Sequence, residues 1–256
     1  MLDLWIRGGT IIDGTGAPRF TADIGVRDGK IAQLGASDEP ATREINAAGL
    51  LVTPGWVDVH THYDGQVTWD PYLTPSGWHG VTTVVMGNCG VGFAPAQPDQ
   101  HEWLISLMEG VEDIPGTALA EGIKWDWESF PEYLDAIDRS PHAIDVVAQV
   151  PHGALRAYVM GERGADHNEI PTSEEIETMG RLVREAIEAG ARGFTSSRTK
   201  NHRTRDGEFT PSLTAEHAEM IGIAKAMGEG GKGVFEIVAD FKDLESEFEL
   251  LREMVE

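Results

Sequence analysis

Cysteine is nearly absent. Cys89 is the single one in 256 residues, so no internal disulfide can form and a reducing compartment, the cytoplasm, is the expected location. Positive charge is also scarce: 20 Lys and Arg stand against 43 Asp and Glu, a formal net charge of −23. A surface that acidic excludes nucleic acid as a partner, because phosphates require a basic footprint. No apolar run reaches the length of a membrane-crossing helix, and Met1-Leu2-Asp3 lacks the basic and apolar regions of a secretory signal. No membrane partner is therefore expected. The glycine-rich turns near the start do not fit the GxGxxG spacing of a dinucleotide site.

What remains is a soluble-type composition with strong internal organisation. Residues 1–52 are short strand-like runs broken by glycine, with Asp28-Gly29 between two apolar runs as a hairpin signal. They predict a small antiparallel β-unit. From residue 53 the rhythm changes to strand, loop, helix, with strand candidates at 51–59, 82–86, 144–150, 191–195 and 233–238. Ser129 with Glu132, and Thr172 with Glu175, have the spacing of helix capping boxes. The second of these helices places Ile176, Met179, Leu182, Val183 and Ile187 on one face and can stop at Gly190. Thr214 opens a further helix with Ala218, Ile221 and Ala224 inward, and Leu244, Phe248, Leu251 and Val255 continue a helical face to Glu256. Repeated β–α alternation predicts an α/β fold with a parallel sheet, open or closed into a barrel, whose catalytic groups sit at the C-terminal strand ends. A closed eight-stranded barrel typically takes about 250 residues, so five strand candidates read as a portion of one.

The chemistry-bearing residues gather at those strand ends. Pro54-Gly55-Trp56-Val57-Asp58-Val59-His60-Thr61-His62 reads as a buried strand that presents two imidazoles on one face. His60 and His62 are either a hydrogen-bonded pair or metal ligands. Cys89, between Gly87 and Gly90 at the end of the next strand, is either a small buried hydrophobe or a thiolate ligand. Asp64 reads as a solvated loop acid, with orientation of an imidazole as the alternative. His152, Arg198 and His202 follow the third and fourth strands and are candidates for substrate binding, Arg198 through a forked contact to a carboxylate; structural roles stand beside that. The stretch from Glu109 to Trp127 is a candidate lid, although Trp125 and Trp127 can simply pack.

Taken together, Pro54–His62 and Gly80-Val81-Thr82-Thr83-Val84-Val85-Met86-Gly87-Asn88-Cys89-Gly90 resemble the amidohydrolase superfamily, and more closely its N-acyl-D-amino-acid deacylases. Ile11-Ile12-Asp13-Gly14-Thr15-Gly16 and Asp28-Gly29-Lys30-Ile31 are similar to the N-terminal strands of that family. The resemblance implies a (β/α)8 TIM-type barrel preceded by a small β-sandwich portion, divided here as 1–52 and 53–256. It implies zinc, as one or two divalent ions, with His60, His62 and Cys89 as ligands, and hydrolysis of the amide of a small N-acyl amino acid. The family's general-base Asp belongs to the last barrel strand and is expected beyond Glu256, so no catalytic residue is assigned. The 256 residues correspond to about the first half of such an enzyme. Two alternatives stand: an amidohydrolase acting on cyclic amides, or a non-catalytic partial barrel that associates with itself or another chain.

Overall fold

The computed structural model describes residues 1–255, and the chain divides into two units, Met1–Trp56 and Val57–Glu256. In the first, β1 (Leu2–Ile11), β2 (Phe20–Arg27), β3 (Lys30–Leu34), β4 (Ala41–Asn46) and β5 (Leu51–Val52) form one sheet in the order β3-β2-β1-β4, with β5 also on β1. Asp28 and Gly29 both take left-handed backbone, at φ 52° and 71°, which is the turn that matches the twist of a tight hairpin. The sheet is mixed rather than purely antiparallel: β1 runs antiparallel to β2 but parallel to β4 and β5. Turn signals report only neighbours in sequence, so the two parallel pairings were invisible to them.

From Trp56 the elements are β6 (Trp56–Asp58), β7 (Val81–Met86), α1 (His101–Glu112), α2 (Gly116–Gly122), α3 (Phe130–Asp138), β8 (Asp145–Ala148), β9 (Val150–Pro151), α4 (His152–Met160), α5 (Ser173–Ala189), β10 (Gly193–Arg198), α6 (His217–Glu229), β11 (Val234–Ala239) and α7 (Leu244–Val255). Two three-stranded sheets result, β6-β7-β8 and β9-β10-β11. Pairing of β7 with β8, β9 with β10, and β10 with β11 is parallel. Only Gln149 separates β8 from β9, so the strands lie side by side in sequence order with helices as the connections that parallel neighbours need. The expected buried strand at 51–59 is not what forms. β6 is three residues long and lies at the end of its sheet, with Trp56 and Val57 exposed.

Both capping boxes form, Ser129 with Glu132 at the start of α3 and Thr172 with Glu175 at the start of α5. In α5 the buried face is Met179, Gly180, Val183 and Ala186, close to the expected one, and the helix stops at Gly190 (φ 131°). Two faces shift from expectation. Hydrogen-bonded turns from Thr210 to Ala215 come before α6, which therefore starts at His217 and buries Met220, Ile223 and Met227, leaving Ala218 exposed. In α7, Leu250 packs inward with Phe235 and Ile237 of β11, while Leu244, Phe248 and Val255 face outward. The candidate lid is α1, α2 and a packed aromatic corner: Trp127 Nε1 donates to the Phe93 carbonyl at 2.8 Å, and Trp125 stacks on His101 at 3.7 Å between ring centroids. Among the described residues no helix is long and apolar enough to cross a membrane.

Under β10 lies a buried polar network. Glu219 of α6 accepts from Arg156 Nη1 at 2.7 and 2.6 Å and lies 2.9 Å from His152 Nε2, while His152 Nδ1 is 2.8 Å from Ser196 Oγ on β10. His152, Arg156 and Glu219 are all essentially without solvent exposure. Charges withdrawn from water hold only while paired, so removal of one partner leaves the other uncompensated. Glu219→Ala is expected to cost about 3–5 kcal/mol in urea denaturation; a loss below about 1 kcal/mol would contradict a buried charge pair.

Candidate metal centre

The centre forms where β6 and β7 end. Beyond β6, Thr61 keeps the chain on β7, donating from both its backbone N–H (2.9 Å) and Oγ1 (2.7 Å) to the Val85 carbonyl. His60 and His62 flank it and converge, ring centroids 5.3 Å apart and edge to face. After β7 the chain makes a tight turn, Asn88–Gly90, in which Cys89 itself takes left-handed backbone at φ 56°. For a residue with a side chain that conformation is costly, and it persists only where neighbours hold it. Here they do. The Thr195 hydroxyl of β10 accepts from Gly90 N–H at 3.0 Å and donates to the Gly87 carbonyl, so one buried side chain clamps both ends of the turn. Gly87 is required, since a Cβ there would lie 2.1 Å from the Gln149 carbonyl oxygen.

The result brings Cys89 Sγ to 3.2 Å from His60 Nε2, and the ligand atoms of His60, His62 and Cys89 lie within 4.8 Å of one another. Glu236 on β11 stands 3.4 Å from His60 Nδ1, which turns the other ring nitrogen toward Cys89. Glu236 is itself held by Gln149, whose Nε2 donates at 3.2 Å. Glu112, the last residue of α1, approaches His62 Nε2 at 3.2 Å, and Glu112, Cys89 and His202 make a second group within the same 4.8 Å. The ring of His202 is fixed by Ser197 Oγ, 2.8 Å from Nδ1.

The electrostatics favour a cation. Burial, with the nearby Glu112, Glu236 and Asp64 carboxylates, pushes the Cys89 thiol up to about 12. Burial raises Asp64 to about 8 and Glu112 to about 7, with Glu112 adding to the first and Asp113 to the second. Burial, His60 and His202 lower His62 to about 4, so its imidazole is neutral and offers a lone pair. His62 Nδ1 and Asp64 Oδ2 are buried without a hydrogen-bond partner. Among the described residues, no Lys or Arg pairs with Asp64, Glu112 or Glu236. One thiol and two imidazoles beside acids that no Lys or Arg neutralises among the described residues fit a borderline-soft divalent ion such as zinc.

The expected site residues divide. His60, His62 and Cys89 come together, and His202 joins Cys89 and Glu112. Arg198 and His152 are not in either group and have protein partners of their own. Arg198 is committed to Glu247 of α7, at 3.1 Å, and to the Ala215 carbonyl, while His152 lies in the core with both ring nitrogens engaged. Asp64 is a buried acid rather than a solvated one. Two residues escaped the sequence: Glu112, one acid among several in a stretch read as a lid, and Glu236. A glutamate in the middle of an apolar strand was a visible signal for the latter.

An α/β protein with a zinc-type donor set at the C-terminal ends of adjacent strands is the class that fold and site define. The chain belongs to the amidohydrolase family, whose model matches residues 43–256. It is 35% identical over 230 residues to D-aminoacylase of Alcaligenes xylosoxydans xylosoxydans, covering 90% of this chain and 43% of that one. Similarity to the N-acyl-D-glutamate deacylase of the same organism is also 35%, over 235 residues, with 90% and 42% covered. Among solved structures it superimposes on N-acyl-D-glutamate deacylase from Bordetella bronchiseptica, complexed with zinc and a phosphonate inhibitor, with a TM-score of 0.78, 34% identity, and 99% and 48% of the two chains covered. The chain spans about half the length of these relatives.

Glu236→Ala is expected to weaken zinc binding roughly 10- to 100-fold by releasing the His60 ring, as measured by isothermal titration; an unchanged constant would remove Glu236 from the centre. Asp64 supplies a pH test. Its folded value, about 8, lies above the ordinary 3.8, so the folded state holds the extra proton and stability falls as pH rises through that window. In chelator-treated protein, urea midpoints should drop less between about pH 6.5 and pH 8 for Asp64→Asn than for the parent chain; parallel curves would contradict a buried, protonated Asp64.

Proposed function

We propose that this chain carries the metal-binding portion of a zinc-dependent amidohydrolase that cleaves the amide of N-acyl-D-amino acids. The observation that carries it is the convergence of His60, His62 and Cys89 within 4.8 Å at the ends of adjacent strands. D-aminoacylase and N-acyl-D-glutamate deacylase, similar over 90% of the chain, support that substrate class, and the zinc in the Bordetella structure supports the ion. We read the sequence-ordered parallel strands as the opening arc of a (β/α)8 barrel, since barrel strands pair in that order.

His60, His62 and Cys89 would hold the ion, Glu236 would orient His60, and the Thr195-clamped turn would fix Cys89. An ion bound there supplies Lewis-acid polarisation of a carbonyl and a nucleophile at neutral pH. Cys89 gives up its proton on binding, so zinc affinity falls as pH falls. The general base is assigned to no residue among these 256. The substrate is a small molecule, and a ligand thiol is kept reduced in a cytoplasmic setting. Cyclic amides are the runner-up substrate, disfavoured by the deacylase-like Gly87-Asn88-Cys89-Gly90 turn.

Zinc-loaded protein should be assayed against N-acyl-D-amino acids, their L-enantiomers and cyclic amides. In the polypeptide that carries these residues, hydrolysis of the D-series is expected, with Cys89→Ala lowering kcat/KM on the order of 100-fold or more as zinc is lost. Preferential turnover of cyclic amides would overturn the substrate assignment, and zinc content unaffected by Cys89→Ala would overturn the metal assignment.

A further inference from the structure

We propose that the cavity between α1, the segment after α4 and the loop after β10 binds a small aliphatic ammonium ion, an amine or diamine. The inference does not rest on the amidohydrolase reading. The cavity holds about 390 Å³, and none of His60, His62, Cys89, Glu112 or His202 lines it. That volume lies in the range of small-molecule sites.

Its walls combine two features that recognise an organic cation. Trp103 of α1 and Phe209 of the loop supply aromatic surface, whose faces attract positive charge. Phe209 already does so within the chain, with the Arg203 guanidinium carbon 3.7 Å from its ring centroid. Glu162, Asp166, Asp206 and Glu208 add four carboxylates, and no Lys or Arg lines the cavity. Among the described residues, the one ion pair to any of these carboxylates is Arg205 with Asp206, at 3.7 Å. Asp166 accepts from the Asn168 backbone N–H at 2.8 Å and from its Nδ2 at 2.9 Å, which holds its carboxyl below the usual range and keeps it charged.

The walls are fastened before any ligand arrives. Arg205 N–H donates to the Ser106 carbonyl at 2.9 Å, and a Cβ on Gly110 would lie 2.2 Å from the Thr204 carbonyl carbon, so the loop backbone rests directly on α1. Thr204 N–H donates to the Glu208 carbonyl at 2.8 Å, and Glu208 N–H donates to Thr204 Oγ1 at 3.2 Å. Binding therefore pays little for ordering the loop. An N-acyl amino acid is an anion at neutral pH, and this wall of carboxylates repels it. Carboxylates alone would also suit calcium, which needs oxygen ligands and gains nothing from the aromatic walls. A protonated amine with a short apolar body uses both features.

Isothermal titration of the metal-free chain with putrescine tests the site, with circular dichroism as the control for folding. Saturable binding of about one putrescine per chain is expected, and none of the uncharged analogue butanediol. Asp206→Asn with Glu208→Gln should weaken putrescine binding about 10-fold, and Trp103→Leu about 5-fold. Removing two acids from α7 instead, Glu245→Gln with Glu249→Gln, should leave the constant unchanged. Equal weakening by the two acid pairs would show general attraction to an acidic chain and overturn the site. Binding insensitive to Trp103→Leu in a folded variant would overturn it as well, and so would the absence of saturable binding in the folded parent chain.

Discussion

Asn88 is the side chain on which the centre's geometry depends. Its Nδ2 donates at 2.9 Å to the carbonyl of Thr61, between the two histidines, and at 2.9 Å to that of Val85, near the end of β7. Its Oδ1 accepts from Gln149 at 2.9 Å. Asn88 is fully buried, so each of these bonds replaces a water that cannot reach it. The residue next to it is Cys89. One amide therefore fixes the distance between the cysteine turn and the histidine segment, and Gln149 extends the same chain of bonds to Glu236 behind His60. An Asn at this place does what an apolar residue of equal size cannot: it donates to the Thr61 and Val85 carbonyls and accepts from Gln149 with one buried amide.

That scaffold explains why a cysteine sits in an unfavourable backbone conformation. Thr195 clamps the turn from one side and Asn88 from the other, while Gly87 and Gly90 admit the neighbouring backbones that a Cβ would block. Strain of this kind costs of order 1–3 kcal/mol and persists where surrounding bonds over-determine it. Beneath β10, the buried His152–Arg156–Glu219 network ties α4 and α6 to Ser196, one residue from Thr195. Core packing and the centre are thus joined through a single strand.

Much of this was legible in the sequence because it is local. The Asp28-Gly29 hairpin, both capping boxes and the Gly190 stop depend on residues adjacent or three apart, and they form as expected. Spacing alone left His60, His62 and Cys89 with two readings each, and the glycine-flanked Asn-Cys pair narrowed them through family resemblance. What the sequence did not reveal is long-range. His152 and Arg198 occupy loop-like positions in the sequence, but their partners are Glu219, 67 residues on, and Glu247, 49 residues on. Glu112 looks like any surface acid until α1 ends beside His62. The outward face of α7 and the three-residue shift of α6 were missed for the same reason: periodicity gives a stripe, and the tertiary neighbours decide which part of it is covered.

In the proposed centre a sulfur and at least one imidazole bind the same ion. X-ray absorption at the zinc edge on the zinc-loaded chain tests it most directly. An ion shared by Cys89 and a histidine gives a zinc–sulfur distance of about 2.3 Å together with nitrogen or oxygen donors at about 2.0–2.1 Å, the sulfur contribution vanishing in Cys89→Ala. A shell of nitrogen and oxygen alone in the parent protein would contradict it.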